Sequence, residues 1–121
     1  MSKKICIVDD SASMRQLVRM TLSGSGYDVL EACDGEDALN KLQNTRVNLV
    51  ISDVNMPKMD GISFLKALKS HPQHRFTPVL MLTTESEQTM KQAGQAAGAK
   101  AWMVKPFRPE QLLAAVQKLI L

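Results

Sequence analysis

Short apolar runs recur along this chain at Lys4–Val8, Tyr27–Ala32, Asn48–Ser52, Pro78–Leu82 and Lys100–Val104, and a stretch with helical periodicity follows each of them. A run that is apolar on successive residues, as at Ile5-Cys6-Ile7-Val8, suits a strand covered on both faces. After the first run Ser13 precedes Met14, Leu17, Val18 and Leu22 at helical spacing, and Gly24 and Gly26 end the pattern. Asp34-Gly35-Glu36 opens a second helix carrying Ala38, Leu39 and Leu42, with acids in the first turn where the helix dipole favours them. Ile62, Phe64, Leu65 and Leu68 mark a third helix, Gln88–Ala97 a fourth closed by Gly98, and Pro109–Ile120 a last. Such alternation specifies an α/β domain with a parallel sheet and right-handed crossovers. Ligands of these sheets bind beyond the carboxyl ends of the strands, so function is expected at that edge.

A chain of 121 residues is the size of one domain, and it can bury a core without disulfides. With 45% hydrophobic and 22% charged residues it has the composition of a soluble globular protein, and no apolar run approaches the roughly 20 residues of a membrane span. The apolar run after Met1-Ser2-Lys3-Lys4 is shorter than a secretory signal, so a cytoplasmic protein is expected. Cys6 and Cys33 form no Cys-x-x-Cys pair, and both read as buried reduced thiols. The net charge of +3 is uneven: residues 91 to 121 hold Lys91, Lys100, Lys105, Arg108 and Lys118 against Glu110. This basic stretch is too sparse for nucleic acid, and the chain reaches Leu121 without a reading motif; it suits an acidic protein partner or a solvated helix face. His71 and His74 flank Pro72 at the end of the sheet away from Asp53 and read as exposed loop residues. The methionines in apolar patterns, such as Met14 and Met81, read as core filler.

Polar residues stand at the ends of four strand patterns: Asp9 and Asp10 after the first, Asp53 after the third, Thr83 after the fourth and Lys105 after the fifth. Asp53 ends an apolar run, which is expected to carry its carboxylate out of the sheet towards solvent as a candidate nucleophile. The loop behind it is preset, because Pro57 fixes its own φ and Gly61 frees the backbone after Asp60. Singly, each residue has an ordinary reading: a turn at Asp9-Asp10, a helix cap at Thr83, a surface lysine at Lys105. Jointly, with the first and third strands as neighbours, they make an acidic pocket whose carboxylates need a cation among them. Oxygen ligands with room for water suit Mg²⁺. A metal-held carboxylate beside a lysine and a hydroxyl is an arrangement for phosphoryl transfer to Asp53.

In these residues the chain resembles the response-regulator receiver domains, and among them the single-domain chemotaxis (CheY-like) regulators, over its whole length. The resemblance implies a (βα)5 flavodoxin-like fold with the sheet in order 2-1-3-4-5, an order of which CheY-like receivers are a standard instance. It further implies that Asp53 is the phosphoacceptor, and that Asp9, Asp10, Asp53 and the backbone carbonyl of Asn55 hold Mg²⁺, with Mn²⁺ able to substitute. Thr83 matches the switch hydroxyl, Lys105 the lysine that contacts the phosphoryl group, and Lys105-Pro106 the bond that family members hold in cis. Asn55 and Glu85 match the pair that sets how long the phosphate lasts. Trp102 takes the place of the family's switch aromatic, usually Tyr or Phe, and also reads as a half-exposed residue of an edge strand. Ser11 departs from the aromatic that chemotaxis regulators often carry there.

The implied function is two-component signalling in a monomeric protein that is not an enzyme. A sensor histidine kinase would donate the phosphoryl group, and a downstream protein such as the flagellar switch would read the result. No effector domain is expected within residues 1–121, so output would be contact in trans: motor control, a phosphorelay step or a phosphate sink. A haloacid-dehalogenase-type phosphatase would need an acid where Asn55 stands. A flavodoxin-like cofactor binder would offer hydroxyls or amides, not Asp9 and Asp10, after the first strand.

Overall fold

The computed structural model describes residues 2–84 and 95–120. Its elements are β1 (Lys4–Val8), α1 (Ala12–Ser23), β2 (Asp28–Ala32), α2 (Gly35–Leu42), β3 (Leu49–Asp53), α3 (Gly61–Ser70), β4 (Val79–Thr84), β5 (Ala101–Lys105) and, numbered among the described elements, α4 (Pro109–Leu119). All strand pairs are parallel and the order is β2-β1-β3-β4-β5. This is the flavodoxin-like doubly wound sheet. The helix expected over Gln88–Ala97 lies mostly outside the described residues; 95–97 are helical, and Gly98 follows them with φ 108.

Period-two alternation within the strands divides the core between the faces of the sheet. Ile5, Ile7, Leu49, Ile51, Leu80 and Leu82 pack with Val18 and Leu22 of α1 and Leu112 and Val116 of α4. Cys6, Val8, Val50, Val79 and Met81 face the other way, against Ala38 and Leu42 of α2 and Phe64, Leu65 and Leu68 of α3. Coverage on both faces is why these strands are apolar at successive positions. Among the described residues no helix is long and apolar enough to cross a membrane.

Side chains set the starts of three helices. Ser11 accepts from the Met14 N–H, Asp34 from that of Asp37 and Asp60 from that of Ser63. The cap of α1 is therefore Ser11, and the Ser13 hydroxyl lies 3.1 Å from that of Ser11. The cysteines differ: Cys6 is buried, as expected, but Cys33 is exposed, because the chain turns out of the sheet after Ala32 to enter α2.

The histidines need a second correction. His74 is 1% exposed, and its Nε2 donates to the Leu42 carbonyl at 2.7 Å. Leu42 is the last residue of α2, so its carbonyl has no partner within the helix, and the imidazole satisfies it. That bond makes burial of a polar ring tolerable. His71 is half-buried, with its ring 5.0 Å from that of His74. We expect His74→Ala to destabilise the fold by about 2–3 kcal/mol, since it strands a buried acceptor and opens a cavity. Urea unfolding monitored by circular dichroism measures this.

Candidate functional site

Asp9 and Asp10 follow β1, Asp53 ends β3 and Lys105 ends β5. The sheet order makes β1 and β3 neighbours, so one oxygen from each of Asp9, Asp10 and Asp53 falls within 4.8 Å of the others. Lys105 reaches across from β5: its Nζ lies 3.1 Å from Asp53 Oδ1 and 3.4 Å from Asp9 Oδ2. Lys105-Pro106 is a cis peptide. Lys105 and Lys100 consequently stand at opposite ends of β5. Lys105 belongs to this pocket, and Lys100, before the same strand, lies about 16 Å away by strand rise.

Asp53 sits deeper than its place at a strand end implied. It is still in the ladder, opposite Leu82, and only 8% exposed. Its Oδ1 accepts the Val54 N–H at 2.9 Å, and its carbonyl accepts the Ser52 hydroxyl at 2.9 Å. Burial raises the Asp53 pKa above the usual carboxylate range; Lys105 opposes the shift and Asp9 reinforces it. Burial would pull Lys105 down, but Asp9 and Asp53 together outweigh it and hold the ammonium above the usual lysine range. Asp9 and Asp53 thus share one cation, with Asp10 beside them in the cluster. Asp9 is 1% exposed whereas Asp10 is exposed, so one ligand position faces water. An all-oxygen donor set with a wet side fits a hard divalent cation of the Mg²⁺ type.

The remaining residues expected at the site are placed as follows. Asn55 is exposed, two residues beyond Asp53. Thr83 is fully buried, one residue past the partner of Asp53 in β4, and its hydroxyl donates to the Thr84 carbonyl at 3.2 Å. Trp102 lies opposite Met81 and packs on the α2–α3 side of the sheet, with its buried Nε1 unpartnered among the described residues. It is half-buried and does not belong to the carboxylate cluster. Glu85 lies outside the described residues.

One contributor was not apparent from the pattern of strand ends. Arg15 donates to the Asp9 carbonyl at 2.6 Å, with Nε 3.5 Å from Glu31, and so ties the β1–α1 turn to β2. The available signal was a cation in the opening turns of a helix, where the dipole disfavours it and a local partner is needed. Ser11 adds an N–H bond to Asp9 Oδ1 at 2.9 Å, which fixes the carboxylate from below.

Residues 5–117 match the family model described as response regulator receiver domain. The chain belongs to the response-regulator receiver family. Its likeness to CheY4, the chemotaxis response regulator of Vibrio cholerae, is 50% identity over 99% of this chain and 100% of that one, with a TM-score of 0.94. Chemotaxis protein CheY1 of Helicobacter pylori is 40% identical over 90% of each chain. The alkaline phosphatase synthesis transcriptional regulatory protein PhoP of Bacillus subtilis is 42% identical over 99% of this chain but only 49% of its own length. The receiver thus spans about half the length of PhoP and of the other transcriptional regulators it matches. Receiver domains are signalling proteins that bind Mg²⁺ at an acidic site, and this CheY-like receiver has such a cluster in Asp9, Asp10 and Asp53.

Proposed function

We propose that this receiver accepts a phosphoryl group on Asp53 from a sensor histidine kinase and signals by protein contact in a chemotaxis-type pathway. The observation that carries this reading is the sharing of Lys105 between Asp53 and Asp9 inside a three-carboxylate cluster. An Asp53 oxygen forms the new O–P bond while the donor's P–N bond breaks. Lys105, already 3.1 Å from that carboxylate, meets the charge carried by the incoming oxygens. Asp9, Asp10, Asp53 and the Asn55 carbonyl would hold Mg²⁺, or Mn²⁺ in its place. Bound there, the cation supplies positive charge to the transferred group. Burial of Asp53 limits access of water to the acyl phosphate, and Asn55 and Glu85 tune its hydrolysis.

Phosphate adds about −1.5 to −2 charges. Thr83 exchanges its bond to the Thr84 carbonyl for one to a phosphoryl oxygen, and Trp102 follows into the space vacated. A partner selects that packing from the two available. Identity to CheY4 and CheY1 over nearly their full lengths supports a chemotaxis output in the cytoplasm, with a flagellar switch component as the reader, ahead of a relay or a sink.

Labelling with radioactive acetyl phosphate and Mg²⁺ tests the acceptor. Asp53→Asn is expected to take up no label, and persistent labelling would move the acceptor elsewhere. The same variant is expected to be more stable at neutral pH by roughly 1 kcal/mol, as when a strained functional group is removed. The sign follows from the raised pKa of Asp53. The fold holds its proton more tightly than the unfolded chain does, so ionisation costs stability as pH rises through the folded value. Above the folded value that cost is present in full, and Asn removes it.

A further inference from the structure

At the pole opposite Asp53, a parallel sheet gathers whatever precedes each strand. Here that is Arg46 before β3, Arg75 before β4 and Lys100 before β5, with Lys4 opening β1. Among the described strand entrances only Asp28, at the start of β2, brings an acid. Neither Arg46 nor Arg75 has an ion-pair partner among the described residues. Lys69 is held below the usual lysine range by burial and, to a lesser extent, by the nearby Lys100.

Next to Arg75 in the chain stands Phe76, 82% exposed, at the edge of a cavity of about 360 Å³ lined also by Arg46, Val47, Asn48, Pro72, Gln73 and Thr77. No acid lines it. The turn carrying Phe76 is braced. His74 is anchored to Leu42, its N–H bonds the His71 carbonyl at 3.0 Å, and the Thr77 N–H bonds the His74 carbonyl at 3.1 Å. Lys69 Nζ donates to the carbonyls of both Arg75 and Thr77. A turn whose backbone is braced before binding gives up little backbone entropy when covered, and aromatic-plus-arginine composition is that of an interface centre.

We propose that the Phe76 turn and the adjoining cavity form a docking surface for an acidic polypeptide segment carrying an apolar side chain. The apolar residue fills the cavity beside Phe76, and flanking carboxylates meet Arg46 and Arg75. Charge complementarity selects an acidic partner. The concavity favours a polypeptide over a lipid surface, which would engage one protruding ring and leave the cavity unfilled. The surface is remote from Asp53, so the partner binds regardless of phosphorylation.

Selection of a phage-displayed library of random 12-residue peptides against the protein tests this. The expected peptides are acidic with an apolar residue, shift the Arg75–Thr77 amides in nuclear magnetic resonance spectra, and weaken at least tenfold both in Arg46→Glu/Arg75→Glu and in Phe76→Ser. Both variants alter exposed side chains, and both should keep acetyl phosphate labelling, which confirms their fold. If no selected peptide is sensitive to these variants, the proposal is overturned. Sedimentation with phosphatidylglycerol vesicles that depends on Phe76 and Arg46 would also overturn it, by assigning the surface to a membrane.

Discussion

Lys105→Met is expected to destabilise the domain by about 2–3 kcal/mol without divalent cations and to slow phosphoryl acceptance at least 100-fold. Lys105 is the one cation within salt-bridge distance of Asp9 and Asp53 among the described residues. Its removal leaves two buried carboxylates facing each other. Breaking a buried pair from one side costs about 3–5 kcal/mol, and the partial exposure of Lys105 discounts that figure. The loss in rate follows from removing a preorganised charge from the incoming group, commonly 10² to 10³. Addition of Mg²⁺ is expected to recover most of the stability and little of the rate, because a divalent ion relieves the repulsion without replacing the ammonium. Urea unfolding with and without Mg²⁺, beside acetyl phosphate kinetics, separates the two effects. Equal destabilisation in both conditions would show that the cluster does not hold the cation.

Gly61→Ala is expected to cost about 3 kcal/mol, the upper end for overpacking, and to lower Tm by roughly 10 °C. A Cβ at Gly61 would collide with the Asp53 carbonyl oxygen and lie 2.8 Å from Val54 Cα and 2.9 Å from Met81 Cε. Two of these neighbours are backbone, which cannot swing aside as a long side chain would. The Gly61 N–H also bonds the Val54 carbonyl at 2.7 Å, so the start of α3 is pressed against the end of β3. Any shift there moves Asp53 itself. Calorimetry reads the stability, and acetyl phosphate labelling at a temperature where the variant is folded reads the displacement.

The strands were legible because burial on both faces leaves unbroken apolar runs, and β1 matched to the residue. The other four began one residue later than expected, and β3, β4 and β5 also ran one or two residues further, where polar side chains close the strand. Asp53, Thr84 and Lys105 all pair in the ladder, since backbone bonding continues after the apolar run has ended. Strand order came from family likeness, as periodicity says nothing about which runs pair. The carboxylates and Lys105 were legible because a parallel sheet brings strand ends together. His74 was not, because the partner that makes its burial tolerable, the terminal carbonyl of α2, is distant in sequence. Arg15 was half-hidden: a cation early in a helix is visible in the residue pattern, but its partner is a backbone oxygen, which is not.

The opposite exposure of the two cysteines makes the chain chemically addressable at one place. Burial pushes the Cys6 thiol up to about 12 and closes it to reagents, while Cys33 stands in solvent beside Asp34 and Asp37. Desolvation by its neighbours, and then those acids, raise its thiol too, so alkylation calls for mildly alkaline buffer. A maleimide fluorophore then reports from the rim that bears the carboxylate cluster, with no engineered residue and no background from the core.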